Sequence, residues 1–482
     1  MLTSCQTTEC YLNNLNFAIA KIPLEILDEF QSDIQLFKIM DLDPAVPLLL
    51  TRYSKTGRPG IDPIKLFRSH LFESRHKLNH KEFRKILHRS SMVRALCGFE
   101  SIDEIPSVGT LYNFDERLVP TKEKLVIRAP YGKKTKKLKQ GEKLPEKKGV
   151  KRTTRIAKAI LEGRIDLSNS PERLMQIIFA EVVVKPSIKI GLIDPNITLS
   201  GDGTCLETGA SSYGRKICDC KSKGIWSCKC ERRYSDPLAT PGWDSHKNRW
   251  FYGYTAFILN TFSKKHHKDL PLYVRLFEAR RHDSISSMIA LQECQEIYPD
   301  LRIKHFLGDS AMDVNPIYTL LNRWDISAVI DLNGHRGRKP KVGDIRFDQS
   351  GQPICPGELP MTYYGSWKRG YTTRVKYRCP DKTGDYACPL AEYCSEKPYG
   401  RVYTISIHTE EDLRFYTKIP RNSKKWYRLY KERSSVERTN KQLLIDHGIE
   451  NSMIRSKRRN FIQCIFACID IHLKAQYEIL NK

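Results

Sequence analysis

Three carboxylates stand where hard cations and phosphate could meet. Asp202 ends a short β-branched run closed by glycines, Ile197-Thr-Leu-Ser-Gly-Asp-Gly-Thr204. Asp309 follows another apolar, strand-like run, Ile303-Lys-His-Phe-Leu-Gly-Asp309. Glu437 lies in Tyr430-Lys-Glu-Arg-Ser-Ser-Val-Glu437-Arg-Thr-Asn-Lys441, which has no Gly or Pro and reads as helix. Tyr430, Arg433, Glu437 and Lys441 fall there at i, i+3, i+7 and i+11, so they share one helical face. Mg²⁺ takes a few carboxylates plus water and substrate phosphate rather than a full protein cage. Two such ions about 3.5–4 Å apart clamp the attacking and leaving oxygens of an in-line displacement. These residue types therefore suit metal-assisted cleavage and transfer of polynucleotide phosphates.

The same residues resemble the DDE transposases of bacterial insertion sequences, in the group whose third carboxylate sits in a Tyr-x2-Arg-x3-Glu-x6-Lys signature. Tyr430, Arg433 and Glu437 match its first three positions; the last is Leu444, and the nearest base on that face is Lys441. Asp-Gly-Thr after a first strand and Gly-Asp after a fourth are also family-like. The likeness extends from about Ile61 to the C-terminal helix. It implies a DNA transposase, a metal-dependent endonuclease and polynucleotidyl transferase that cleaves element ends and joins the 3′ ends to target DNA. Asp202, Asp309 and Glu437 would then hold two Mg²⁺ (or Mn²⁺), with Tyr430 and Arg433 orienting Glu437 and contacting phosphate. Asp313, one turn beyond Asp309, is the second choice for that ligand, and Glu432 for Glu437. The partners implied are transposon-end and target DNA and further copies of the chain, as a homodimer or higher oligomer. The alternatives are a ribonuclease H-like nuclease without strand transfer, and a transposase-derived DNA-binding protein without chemistry. The place implied is a bacterial cytoplasm, at the nucleoid.

Composition points the same way. Lys and Arg number 81 against 55 Asp and Glu in 482 residues, a net charge of +26. Charge of this size speaks to polyanionic partners rather than to fold. The excess is concentrated, with 15 Lys/Arg and 3 acids between Thr121 and Ile160. No apolar run approaches the ~18–20 residues of a membrane span. No basic region followed by an apolar one opens the chain, so no signal peptide is expected, and the 15 cysteines read as reduced or metal-bound thiols.

The length suggests roughly three domains. Residues 1–120 read as a helical, helix-turn-helix-like DNA-binding domain, or else as a bundle used for oligomerisation. Asp62-Pro63 is a cap and first-turn proline, followed at helical spacing by Ile64, Phe67 and Leu71. Asn79 and Glu82 have capping-box spacing, and Ser107-Val-Gly-Thr110 opens a last helix. Residues 121–189 read as a basic linker and connecting helix, either following DNA phosphates or acting as a tether. From 190 to 482 the pattern is α/β. Strands are expected over 197–200, 250–259 and 272–277, a helix over 283–298, a strand over 302–307, a helix over 316–324 and a strand over 326–330. That is the ribonuclease H-like order, in which the first and fourth strands are neighbours, and it would bring Asp202 to Asp309.

Two cysteine-bearing insertions, at 205–249 and 333–425, interrupt this core. The first holds Cys218, Cys220, Cys228 and Cys230; the second holds Cys355, Cys379, Cys388 and Cys394. Four thiolates suit a closed tetrahedral Zn²⁺ site. Neither set has paired C-x2-C spacing, so buried thiols are the other reading, and the second set ranks ahead of the first. The stretch Tyr363-Tyr-Gly-Ser-Trp367-Lys-Arg-Gly-Tyr371 mixes aromatic and basic residues, which either stack on splayed bases or pack a hairpin. The resemblance makes Trp367 a candidate for holding the transposon end. No role is expected for His246, His282, His305 or His447.

Overall fold

A computed structural model of the chain describes residues 5–54, 56–57, 59–121, 125–127, 150–333, 345–348, 351–369, 372–407, 412–421 and 423–481. Most of the lysine-rich linker, including residues 133–148, lies outside the described residues, as does Tyr371. The connecting region that follows is several helices, Arg152–Leu161, Arg173–Phe179 and Lys185–Lys189, the last two joined by a π-turn.

The N-terminal helices begin where side chains satisfy their first amides. Helix α1 (Pro63–Arg75) is capped by the Asp62 carboxylate, which accepts from the Ile64 N–H at 2.9 Å, while Pro63 fills a position that needs no donor. Helix α2 (His80–Arg89) has a reciprocal capping box. Asn79 accepts from the Lys81 and Glu82 amides, and the Glu82 carboxylate accepts from the Asn79 N–H. Helix α3 (Val108–Leu118) is capped by Ser107, which accepts from the Thr110 N–H. Ile64, Phe67, Leu71, Phe83, Leu87, Leu111, Phe114 and Leu118 turn inward into one core.

The sheet starts as an antiparallel meander of β1 (Asn196–Glu207), β2 (Arg249–Ser263) and β3 (Lys268–Glu278). Helix α4 (Asp283–Ile297) then crosses over to β4 (Arg302–Gly308), which pairs parallel with β1. Helix α5 (Asn315–Arg323) leads to β5 (Ser327–Ile330), parallel with β4. The spatial order is β3-β2-β1-β4-β5, with a short strand, Thr240–Asp244, also paired to β2. The run Tyr252 to Leu259 in β2 is buried on both faces, which is why it reads as continuously apolar.

Beyond β5 an antiparallel sheet forms from β6 (Thr362–Arg369), β7 (Thr372–Arg378) and β8 (Val402–Ile407) around its own small core of Phe347, Met361, Val375, Tyr377 and Ile405. Helices α6 (Lys424–Tyr430) and α7 (Ser434–Lys441) follow. The single helix expected over 430–441 is therefore segmented, with a 3₁₀ turn at Lys431–Arg433 and a π-turn at Gln442–Asp446. The Ser434 hydroxyl bonds back to the Lys431 carbonyl and Thr439 to that of Ser435, and such back-bonding bends helices.

The last helix, α8 (Lys457–Leu480), lies against both β3 and α1. Arg75 of α1 pairs with Asp33 at 2.7 Å and with the buried Asp470 of α8. Arg458 donates to the carbonyls of Val119 and Thr121 and to Glu116. One apolar core runs from Tyr11 through the sheet to Ala475, so the N-terminal helices are packed onto the sheet by α8. No described helix is long and apolar enough to cross a membrane.

Candidate active site

The parallel register of β1 and β4 pairs Ser200 with Leu307, and two residues further along each strand come Asp202 and Asp309. Asp309 follows the end of β4 and caps the 3₁₀ turn Ser310–Met312, its carboxylate accepting from the Ala311 N–H at 3.0 Å. A third acid joins them. Asp283, the first residue of α4, lies over Gly203, so that a Cβ at Gly203 would stand 2.6 Å from its Oδ1. The three aspartates are partly buried. Burial, then the charges of Asp309 and Asp283, push the Asp202 carboxyl up to about 7, against the pull of Arg433 and the Gly203 amide. Burial and Asp309 push Asp283 up to about 6. Asp283 escapes a sequence reading because an acid in the first turn of a helix already has a reason to be there, in the helix dipole. The signal that could have found it is its place just beyond a strand's C-terminal end, where open α/β sheets bind ligands.

Helix α7 is laid across this edge by buried polar contacts. Ser435 Oγ is 3.0 Å from Ser200 Oγ and accepts from Asn260 Nδ2, while the Thr439 hydroxyl donates to Asn260 Oδ1 at 2.9 Å. Asn440 Nδ2 donates to Asp202 Oδ2 at 2.9 Å. Glu437, on the same helix, is half-exposed and accepts from Arg433 at 2.7 Å. The Arg433 guanidinium feels Tyr430, Glu437 and Asp202, which raises its pKa although burial opposes this. Glu437 thus connects to the aspartates by way of Arg433. Tyr430 stacks on Trp426 with centroids 4.6 Å apart and 13° between planes. Trp426 is itself set among Leu307, Val329, Ile419 and Leu429, at the ends of β4 and β5. Lys441 is exposed and makes no ion pair among the described residues.

Neither second-choice acid is at the site. Asp313 is buried and accepts from Arg414, the Tyr318 hydroxyl and the Asn333 amide, a structural network that uses both its oxygens. Glu432 pairs with Lys264 at 2.7 Å.

Two family models match the chain: a transposase domain (DUF772) over residues 29–117 and a transposase DDE domain over residues 354–475. Both matches are to transposase domains and support an insertion-sequence DDE transposase. No curated protein matches it. The first match covers α1 to α3 and the second runs from the cysteine-bearing insertion through Glu437 into α8. A DDE domain implies a ribonuclease H-like fold, and the mixed sheet with its helical N-terminal part agrees.

Among the described residues, two groups of three or more His, Cys, Asp or Glu have donor atoms within 4.8 Å of one another. One is Cys218, Cys220, Cys228 and Cys230, with Sγ atoms 3.5 Å apart in the pairs Cys218–Cys228 and Cys220–Cys230. The other is His70, His80 and Asp115. There both imidazoles bond Asp115, at 2.8 and 3.2 Å, and His80 also bonds Glu73, so this buried network ties α1, α2 and α3 together. Of the quartet ranked first from sequence, no three thiols come within that distance. Cys355, in the small apolar core of the insertion, and Cys388 both lie against Gly357, and Cys379 packs beneath Gly400. The acidic cluster is likewise open, with no three of its oxygens inside that distance. Trp367 is exposed on β6, in a groove shared with Lys376, Arg378, Lys397, Tyr399 and Arg401.

Proposed function

We propose that this transposase cleaves the ends of its insertion sequence and joins the liberated 3′ ends to target DNA by two-metal-ion phosphoryl transfer at Asp202, Asp309 and Glu437. The observation that carries this reading is the side-by-side placement of Asp202, within β1, and Asp309, just past the end of the paired strand β4, with the Glu437 helix bonded to Asp202 through Asn440. The donor set is made of carboxylates and amide groups, without thiolate or imidazole, which suits Mg²⁺ or Mn²⁺. Its open spacing suits cations shared with substrate phosphate rather than one enclosed ion. Cations bound there would lower the pKa of water and neutralise charge on the reacting phosphate.

The chain's own groups have separate tasks. Asp202 is held in position by Asn440, and Asp309 by its capping bond to Ala311. Arg433 sits between Glu437 and Asp202 and brings a fixed positive charge to the place where the phosphate would arrive. Tyr430, stacked on Trp426, backs that guanidinium. The basic groove around Trp367 supports end binding, with the indole positioned to stack on a base. The Cys218, Cys220, Cys228 and Cys230 quartet has the donors and closeness of a structural Zn²⁺ site. Transposon ends must be paired for transfer, so the acting form is a homodimer or larger assembly on DNA.

The test uses the full chain, Mg²⁺ and a mini-transposon carrying the element's own ends. The expected products are nicked or excised ends and end–target joints. Cleaved ends that never join would favour the nuclease reading. Tight end binding with no cleavage under Mg²⁺ or Mn²⁺ would favour a transposase-derived DNA-binding protein.

A further inference from the structure

Beneath the N-terminal helices, two imidazoles are aimed at one carboxylate. His70 of α1 places Nε2 2.8 Å from Asp115 Oδ1 of α3. His80, the first residue of α2, places Nε2 3.2 Å from Asp115 Oδ2. The two rings are tilted by 53°, and ligand atoms of these three residues lie within 4.8 Å of one another. The far side of each ring is engaged as well. His70 Nδ1 is 3.0 Å from the Leu66 carbonyl oxygen, and His80 Nδ1 is 2.8 Å from Glu73 Oε1. All four side chains are buried.

A neutral imidazole has a single N–H. With an acceptor at both nitrogens, each ring needs either a second proton or a cation at the nitrogen without one. Two added protons and one divalent cation carry the same charge, and the Glu73 and Asp115 carboxylates balance either. The outer contacts have the form that orients metal-binding histidines. Each ring gives its far N–H to a carbonyl or carboxylate and leaves the near nitrogen for the metal. A cation about 2.0–2.2 Å from each ligand atom would open the present Nε2···O contacts by a few tenths of an ångström.

A second observation is the cavity beside the cluster. His70, Glu73, His80 and Asp115 line it, together with Asn451, Arg455, Arg459 and Gln463 from the C-terminal part. It gives a cation an entry path and gives water the fourth position that three protein ligands leave open. Gln463 Oε1 is buried there without a hydrogen-bond partner among the described residues, so the wall is polar enough for water. The bases around it act against a cation. Arg459 Nε is 4.0 Å from Asp115 Oδ2, and Lys77 and Arg455 line the same space.

We infer that His70, His80 and Asp115 form a Zn²⁺-class metal site that ties α1, α2 and α3 together, with Glu73 as the positioning residue that orients His80. Two imidazoles and a carboxylate suit Zn²⁺ or Co²⁺ better than Mg²⁺, which separates this site from the carboxylate cleft. Protons and nearby bases compete with the metal, so the site is weaker than four thiolates and fills from added cation. Protein as purified keeps only the zinc of the Cys218 quartet. The proton-held and cation-held forms are alternatives, and the pH dependence of this network belongs to the metal-free form.

Co²⁺ is the probe. The full-length protein, purified with its zinc and kept in excess Mg²⁺ to occupy the carboxylate cleft, is titrated with Co²⁺ by calorimetry. The bound cobalt is then characterised by X-ray absorption. One further equivalent should bind, with nitrogen and oxygen neighbours, imidazole outer scattering and no sulfur. Added Co²⁺ should also raise the thermal midpoint, because it binds the folded form. His80→Gln should lose this cobalt and the rise in midpoint. Glu73→Gln should bind about 10–100-fold more weakly, the usual cost of a lost outer partner, with the imidazole signature retained. If His80→Gln does not fold, Glu73→Gln and the wild-type spectrum decide the matter. No uptake overturns the site, as does cobalt bound through sulfur, or through oxygen without imidazole. Imidazole-bound cobalt of unchanged affinity in both variants also overturns it, since the ligands are then other histidines.

Discussion

At the scale of single residues, the site depends on acids that repel one another and on glycines that let them approach. Alanine at Asp202, Asp309 or Glu437 is expected to abolish cleavage of transposon-end DNA while leaving end binding largely intact. The change would remove the proposed cation ligands and not phosphate-contacting bases. Gel-shift and cleavage assays on the same preparations separate these outcomes, and a variant that cleaves at the wild-type rate identifies a misassigned acid. Gly203 is required for a steric reason. A Cβ there would meet Asp283 Oδ1 at 2.6 Å and Thr255 Cγ2 at 2.9 Å. Gly203→Ala should therefore push Asp283 aside and lower the unfolding free energy by about 1–3 kcal/mol, the usual cost of overpacking. Chemical denaturation, with Mn²⁺ affinity measured alongside, checks this. Unchanged stability and affinity would mean that α4 yields freely.

At the scale of elements, the two cysteine insertions differ in kind. Among the described residues the loop carrying Cys218, Cys220, Cys228 and Cys230 is framed by the two-residue strands Arg215–Lys216 and Arg232–Arg233, the latter also paired with Val126–Ile127, so its fold is expected to depend on metal. Purified protein should carry about one equivalent of zinc per chain, and Cys220→Ser should lose it and become protease-sensitive around that loop. Cys388→Ser should keep its zinc, because the second insertion is held by the three strands β6 to β8 and by its own apolar core. Elemental analysis decides it. Zinc retained in Cys220→Ser and lost in Cys388→Ser would reverse the assignment.

At the scale of the molecule, the N-terminal helices and the sheet are joined through α8, and the buried network beneath α1, α2 and α3 makes their packing pH-dependent. Burial works against charge on His80, but hydrogen bonds to Asp115 and Glu73 and their charges outweigh it and push the imidazole up to about 9. Burial is likewise outweighed at Asp115, where His70 and His80 hold the carboxyl well below its ordinary range. The sign follows from linkage. The His80 contribution is complete below an unfolded pKa of about 6.5 and is lost as pH rises through about 9. The Asp115 contribution is complete above an unfolded pKa of about 4 and is lost as pH falls toward its depressed folded value. The melting temperature should thus be highest between about pH 4 and 6.5 as far as this network is concerned. His80→Gln should flatten the alkaline fall, and a scan of thermal midpoint against pH in both proteins tests this. The net charge of +26 carries a separate expectation. Each neutralised phosphate adds a slope of about −0.9 to log K against log salt. Deleting residues 133–148 should make that slope shallower, and an unchanged slope would make the segment a tether.

Much of this protein was legible in one dimension because it is written in local rules. The caps at Asp62, Asn79 and Ser107 are satisfied within three residues, and their helices begin where those side chains say. The strand–helix order follows from runs of apolar residues. The Asp202 and Asp309 pair follows from knowing that the first and fourth strands are neighbours. What stayed hidden depends on distance across space. Asp283 is an ordinary helix-start acid until the β3–α4 connection turns it over Gly203. The two cysteine quartets look alike as spacings, and only the folded loops show all four thiols of one within 4.8 Å and no three of the other. The helical run over 430–441 is segmented because hydroxyl back-bonds and docking onto β1 and β2 outweigh helix propensity there. Residue type and spacing alone led to the proposed chemistry of this chain. Which acids share a charge, which thiols share a centre and how the helical part rests on the sheet were decided by tertiary packing, because electrostatic and ligand fields fall off over ångströms of space and not over positions in sequence.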